Sequence, residues 1–352
     1  MSILVTGGAG FIGSHTCLVL LEKGYEIVVI DSYINSKEKS LERVIELVKA
    51  RAQNKDKNID LKIINADIRD KKILNKLFLD SLNLGKPFQA VIHFAGLKSV
   101  KDSVTNPLLY WDQNVNGTIN LLNIMNKYEC RTIVFSSSAT IYGLNGKKLL
   151  VESSEIMPVN PYGETKAAIE KLLNDIYKSN TKQWRIANLR YFNPIGAHYS
   201  GLVGESPIGI PNNIFPYISQ VAAGKLEKLS IFGNDWPTSD GTGVRDYIHV
   251  MDLAEGHKAS LEYLQDNPPQ LINLNLGTAN GTSVLELIHA FEFINKVNIP
   301  YEFLPRRQGD VANVVADNSL ALSCLDWEPK RSLNDMCSDG WKWQSLNPNG
   351  YV

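Results

Sequence analysis

Short, almost continuously apolar runs are spaced along the first half of the chain, at residues 3–6, 27–31, 62–66, 90–94, 132–136 and 186–190. Runs that do not alternate with polar positions predict strands covered on both faces. Between them, residues 14–23, 108–127 and 164–177 carry apolar side chains at helical spacing. Strands alternating with helices predict crossover connections, and hence a doubly wound α/β fold around a parallel sheet.

From about residue 193 the texture changes. Glycine, proline and asparagine punctuate residues 193–213 and 233–243, and shorter elements follow. This predicts two domains: residues 1–190 as a dinucleotide-binding unit and residues 191–352 as a smaller α/β substrate unit, with the chain re-entering the first. The polar stretch 49–60 reads as a solvated loop or a helix end. The chain shows no repeats.

Composition narrows the function. The chain has 352 residues, 44% hydrophobic and 21% charged, in the range of a globular protein. Lys and Arg total 36 against 37 Asp and Glu, a net charge of −1. That balance gives no bulk attraction to nucleic acid or to an anionic membrane. No apolar run approaches the roughly 18 residues of a spanning helix. The N-terminus lacks the basic flank of a signal peptide, so the expected compartment is the cytoplasm. Cys17, Cys130, Cys324 and Cys337 are scattered, without thiolate pairs, and the six His residues show no ligand spacing. Neither a disulfide framework nor a metal site is expected.

The first strand runs into Gly7-Gly8-Ala9-Gly10-Phe11-Ile12-Gly13 and then a helix. Gly7, Gly10 and Gly13 allow a tight turn and a close approach of backbone amides to a pyrophosphate. The helix N-terminus adds unpaired N–H groups and the positive end of its dipole. This is the nucleotide loop of a Rossmann-type unit. Asp31, at the end of the second strand, suits the two hydroxyls of an adenosine ribose and repels a 2′-phosphate. NAD is therefore favoured over NADP. Asp67, after the third strand, either meets the adenine edge or caps the next helix. Phe94, Ala95 and Gly96 end another strand in residues mostly small enough to let a dinucleotide pass; His93 reads as packing.

Tyr162 and Lys166 lie four apart at the start of a helical pattern, on one face. A lysine ammonium beside a phenol favours phenolate, which makes Tyr162 a candidate general acid/base near neutral pH. Upstream, a strand ends in Ser136-Ser137-Ser138-Ala139-Thr140, where a hydroxyl can bind a substrate oxygen. Arg245 and Arg307 are candidate bidentate phosphate partners, with surface ion pairs as the alternative. Asn193 and Asn213 are neutral amides suited to a diphosphate or sugar.

At this point the chain resembles the extended short-chain dehydrogenases/reductases, and among them the UDP-glucose (UDP-galactose) 4-epimerases. LVTGGAGFIGSHT, HFAGLKSV, NVNGT, SSSATIYG, NPYGETK, RYFNPIGAH, GIPNN, DGTGVRDYIHVMDLA and RRQGD carry the resemblance nearly end to end. It implies a tightly bound NAD held by Gly7, Gly10, Phe11, Ile12, Gly13, Asp31, Asp67, Ile68, Phe94, Ala95, Gly96, Lys98, Tyr162, Lys166 and Tyr191. It implies a UDP-sugar substrate near Lys98, Ser136, Ser138, Tyr162, Asn193, Asn213, Arg245, Arg307, Asp310 and Val314, with Asp310 at the uridine ribose. Tyr162 would take the proton of the sugar 4-hydroxyl while C4 gives up its hydride. Ser138 would polarise the 4-oxygen. The 4-keto sugar would then rotate and be reduced on its other face. A homodimer built on helices of the first domain is also implied.

The family's related 4,6-dehydratases carry an Asp-Glu pair after the hydroxyl residue; here Ala139 and Thr140 follow Ser138. In hexose-restricted epimerases a tyrosine aligns with Val314. A valine leaves room for a 2-acetamido group, so UDP-GlcNAc and UDP-GalNAc are expected as substrates too. Gln113 stands where Asn is common in the family, close to the cofactor.

Overall fold

The structure, a computed structural model, describes residues 1–51, 59–143, 149–209, 211, 213–307 and 309–352. The middle of the polar stretch, residues 52–58, lies outside the described residues, as do 210 and 212 of GIPNN and 308 of RRQGD. The chain opens in strict alternation: β1 (Ser2–Thr6), α1 (Phe11–Glu22), β2 (Glu26–Asp31), α2 (Lys39–Arg51), β3 (Leu61–Asn65), α3 (Lys71–Asn83) and β4 (Ala90–His93). Two short helices follow, α4 (Val100–Thr105) and α5 (Pro107–Tyr110). A π-helical stretch over Trp111–Asn116 then leads into α6 (Gly117–Lys127) and β5 (Thr132–Ser138). After a 3-10 turn at Ala139–Tyr142 come α7 (Pro161–Ser179) and β6 (Arg185–Tyr191).

The second half carries β7 (Asn193–Ile195), α8 (Ile214–Ala222), β8 (Leu229–Phe232), β9 (Val244–His249), α9 (Val250–Asp266) and β10 (Leu271–Leu276). It ends with β11 (Gly281–Ser283), α10 (Val284–Asn295), β12 (Tyr301–Leu304), β13 (Asn313–Val314), α11 (Ser319–Cys324) and α12 (Leu333–Leu346).

Seven strands form one parallel sheet in the order β10-β6-β5-β4-β1-β2-β3. The continuous apolar runs of β1 and β4 are its core, every residue buried; the run at β3 is not covered on both faces as expected, with Lys62 and Asn65 exposed, because β3 is an edge strand with a neighbour on one side only. One face packs α1, α2 and α9 through Leu18, Leu41, Leu253 and Leu261; the other packs α3, α6 and α7 through Phe78, Leu121 and Leu173. α1 is buried along nine consecutive residues, Gly13 to Leu21, because α2 and α9 flank it while the sheet lies beneath. A helix enclosed on all sides needs apolar or small residues all round, and this one has them except at His15, whose Nδ1 bonds the Phe11 carbonyl at 2.7 Å. The smaller unit is built on β9, which pairs β7, β11 and β13, with a separate parallel pair β8–β12. Its own core joins α8, α10 and α12 through Phe215, Leu287, Phe291 and Met336.

The helix expected over 108–127 is present and runs without interruption from Pro107 to Lys127, but its middle, Trp111–Asn116, is wound as a π-helix. α5 ends at Tyr110, and a wide turn carries the chain to Gly117 before α6 begins. The wide turn has a visible result. Asn114 is fully buried, its Oδ1 accepts from the Leu97 amide at 2.7 Å, and its Nδ2 donates to the Leu97 carbonyl at 3.1 Å and to Thr165 Oγ1 at 3.0 Å. One side chain thus ties the loop after β4 to α7. π-Helical bulges in helices are often found where a side chain must be re-aimed at a site.

Candidate active site

The parallel strands deliver their C-terminal ends to one edge of the sheet, where ligands bind in folds of this kind. A single cavity of about 1320 Å³ runs from there into the smaller unit. Of the residues expected to hold NAD or the UDP-sugar, all but Asp67 line it.

One end is the glycine loop. Gly7 has φ +70°, and a Cβ on Gly13 would stand 2.3 Å from the Gly7 carbonyl oxygen, so both positions require glycine. α1 starts directly after Gly10, with no side chain capping its amides. Those N–H groups are left for an anion. Asp31 is 8% exposed and held in place: Oδ2 accepts from the Ala9 amide at 2.9 Å, and Oδ1 from the Tyr33 amide at 2.9 Å and Ser36 Oγ at 2.8 Å. Ile68, Phe94, Ala95 and Gly96 wall the same end. Asp67 does not reach it. Its carboxylate is taken by Arg69, which donates through its amide at 2.8 Å and its Nη2 at 2.8 Å, and by Gln113 Nε2 at 3.2 Å. The cap of α3 is Asp70 instead, accepting from the amides of Lys72 and Ile73. His93 is fully enclosed between Thr6 and Thr118, at 2.7 and 2.9 Å.

The middle of the cavity holds Tyr162, Lys166 and Ser138. Asn160 caps α7 through the Gly163 amide at 2.9 Å, and Pro161 starts it, so Tyr162 stands in the first turn with its ring free to line the cavity. The Ser138 hydroxyl caps the following 3-10 turn through the Thr140 amide at 3.2 Å. Lys166 is 5% exposed; its Nζ donates to the Ser136 carbonyl at 2.6 Å and lies 5.9 Å from the centre of the Tyr162 ring.

The titration of this pair departs from the sequence expectation. Burial pushes the Tyr162 phenol up to about 12, with Ser138 working the other way. Burial also pulls Lys166 down to about 7, opposed by Glu170. Desolvation outweighs the expected depression of the phenol by the lysine, whose own charge is costly there. Tyr191 lines the cavity with its ring, while its hydroxyl bonds His257 Nε2 on α9.

The far end belongs to the smaller unit. Arg245 donates through Nη1 to the carbonyls of Val244 and Val311, at 2.8 and 3.0 Å. The Arg307 guanidinium lies 3.6 Å from the centre of the Phe232 ring. Neither is held by a carboxylate in any described ion pair, so both keep donors for a ligand. Lys98 does pair, with Glu205 at 3.1 Å. Val314 on β13 sits level with Arg245 on β9 and packs beside Leu150, Phe192 and Ala316. Asn193, Asn213 and Asp310 complete this end. Sequence reasoning missed the aromatic residues Tyr217, Phe232 and Trp236, which also line it. Phe232 and Trp236 lie just upstream of the DGTGVRDYIHVMDLA motif, and that closeness was a usable signal. Among the described residues no cluster suits a metal ion, and no helix is long and apolar enough to cross a membrane.

Comparison with known proteins gives a consistent picture. Residues 4–340 match the family model described as GDP-mannose 4,6 dehydratase. The chain is 50% identical over 351 residues to a UDP-glucose 4-epimerase of Bacillus subtilis (strain 168), covering 100% of this chain and 99% of the relative. Among solved structures, the UDP-glucose-4-epimerase of Stenotrophomonas maltophila, with bound NAD and formylated UDP-arabinopyranose, superimposes with a TM-score of 0.92 at 45% identity, covering 99% of both chains. The UDP-Glc/GlcNAc 4-epimerase of Campylobacter jejuni gives 0.82 at 33% identity, covering 98% of this chain and 99% of that one. With identity at this level over its whole length, the chain belongs to the UDP-glucose 4-epimerase family.

Proposed function

We propose that this chain inverts C4 of UDP-sugars, interconverting UDP-glucose with UDP-galactose and UDP-GlcNAc with UDP-GalNAc through a transient 4-keto sugar. The observation that carries the reading is the position of Tyr162, Lys166 and Ser138 midway along one cavity. An uncapped helix N-terminus and Asp31 lie at one end, and Arg245 and Arg307 at the other. The first end fits NAD: glycines that tolerate no Cβ, free amides, and a fixed carboxylate for a ribose. The related solved structure with NAD supports the same choice. NAD bound there would supply the hydride acceptor and donor for C4.

The chain's own groups do the rest. Arg245 and Arg307 neutralise the diphosphate, and Asn193 and Asn213 orient the sugar beneath it. Ser138 donates to the 4-oxygen. Tyr162 takes the 4-hydroxyl proton and later returns it, so the site ends each cycle as it began. Lys166, as ammonium, stabilises the phenolate in between. Elimination of water, which a dehydratase performs, needs a further acid at C5 and C6; Ala139 and Thr140 offer none.

Proton NMR of UDP-galactose and, separately, UDP-GalNAc with purified protein and no added NAD tests this directly. Both should equilibrate with their 4-epimers. A lasting rise of NADH absorbance, or a 6-deoxy product, would replace the reading by a dehydrogenase or a dehydratase.

The family resemblance and one surface together support a homodimer. Val104 is 62% exposed, Leu108 84% and Leu109 44%, side by side on α4 and α5, with Trp111 next to them. Apolar residues clustered at this exposure mark an interface. Wild type should sediment as a dimer and Leu108→Arg as a monomer. A dimer that survives this change uses another face.

A further inference from the structure

Glu170 lies one turn beyond Lys166 on α7 and is 6% exposed. Its carboxylate is fully engaged. Oε1 accepts from Ser137 Oγ and from Arg190 Nε at 3.0 Å, and Oε2 accepts from Arg190 Nη2 at 2.7 Å. Arg190, on β6, is 2% exposed and donates through Nη1 to the Tyr142 hydroxyl at 2.9 Å and the Glu152 carbonyl at 2.7 Å. A buried ion pair is a poor device for stability alone, since two ions must be stripped of water and an apolar filling often serves as well. What this pair touches gives it another use. Ser137 stands between Ser136, whose carbonyl receives the Lys166 ammonium, and Ser138, which stands beside Tyr162. Three consecutive residues at the end of β5 therefore meet three residues of α7.

We propose that Glu170, locked by Arg190, is a positioning residue that fixes the end of β5 against α7 and so sets where Ser138, Tyr162 and Lys166 meet. It touches neither substrate nor cofactor. The inference rests on the epimerase reading of the same site. The carboxylate has a second effect. Burial drives Lys166 towards its neutral form, and Glu170 is the charge that opposes it. The other groups around the lysine give no such help. His93 from β4 is buried and held neutral, Tyr162 and Tyr191 are phenols pushed upward, and Arg190 is itself cationic.

The test uses purified holoenzyme and UDP-galactose, with wild-type conversion as the reference; an inactive wild type would count against the epimerase reading, not this one. Ser137→Ala removes the strand contact and keeps the charge. It should lower kcat about tenfold, within the range a small misplacement costs, with KM, NAD content and the pH profile unchanged. Glu170→Gln should lower kcat and also move the alkaline limb of the kcat–pH profile down by about one unit, the effect of losing a neighbouring opposite charge. The double variant Glu170→Gln/Arg190→Gln leaves no lone buried charge and should show a shift in the same direction. A wild-type kcat in Ser137→Ala overturns the positioning role, and does so alone if neither Glu170 variant folds. A lowered melting temperature with wild-type kcat and pH profile in the Glu170 variants reduces the pair to a structural one.

Discussion

Tyr162→Phe will purify with NAD and melt as wild type, and will turn over about 10²–10⁴ times more slowly, the usual worth of a positioned acid/base group. The fold should not notice the change. The start of α7 is held by Asn160 and Pro161, and the ring stays to line the cavity. What is lost is the phenol oxygen beside Ser138, the group proposed to carry the 4-hydroxyl proton. Burial pushes the phenol up to about 12, and a positive charge beside it works the other way. A nicotinamide cation and a protonated Lys166 both act in that direction. Steady-state kcat for UDP-galactose, with the NAD content read by absorbance, checks the prediction. Turnover within threefold of wild type would remove Tyr162 from the chemistry.

Val314→Tyr will abolish conversion of UDP-GalNAc, by about 10²-fold or more, and leave UDP-galactose within a few-fold of wild type, because steric exclusion acts only on the larger sugar. The wall that carries Val314 has little freedom to retreat. The Leu150 amide donates to the Val315 carbonyl at 2.9 Å, the Asp317 amide to the Leu150 carbonyl at 2.8 Å, and the Ala316 amide to Asp246 Oδ2 at 3.2 Å. β13 is also paired to β9 at Asn313 and Val314. A phenol ring added here enters the cavity instead of displacing the backbone. Initial rates on the two substrates, measured side by side, decide it. An equal loss on both would mean that the ring blocks the site as a whole, and the size argument fails.

The strands of the first half were readable because a doubly covered sheet demands continuous apolar runs, and nothing else in the chain competes with that signal. The nucleotide loop and the Tyr162–Lys166 pair were readable because each is a local spacing with one geometric meaning. The π-helical winding at Trp111–Asn116 was not, since a single wide turn barely disturbs helical spacing over twenty residues. The partners of Asp67 were unreadable for a similar reason: its pairing depends on Arg69, whose direction no pattern records. The lysine's effect on the phenol was also beyond the sequence. Spacing puts Lys166 on the right face, but its proton is decided by burial and by Glu170 and Ser136. The Arg190–Glu170 pair joins residues twenty apart and becomes visible only once β6 lies beside β5.

The place of β10 bears on how the chain is made. It is one of the two edge strands of the large sheet, paired along six residues with β6, yet about 80 residues separate the two in the chain. At roughly 5–20 residues per second, a ribosome takes several seconds to cover that distance. During that time the newly made β6 has a bare edge, and α1 lacks the cover of α9. An open apolar sheet edge is an invitation to pair with the wrong chain. Successful biosynthesis of this protein is therefore a race between delivery of β10 and aggregation of the nascent first half, and a codon pause or a truncation between Tyr191 and Leu271 would fall where that race is most easily lost.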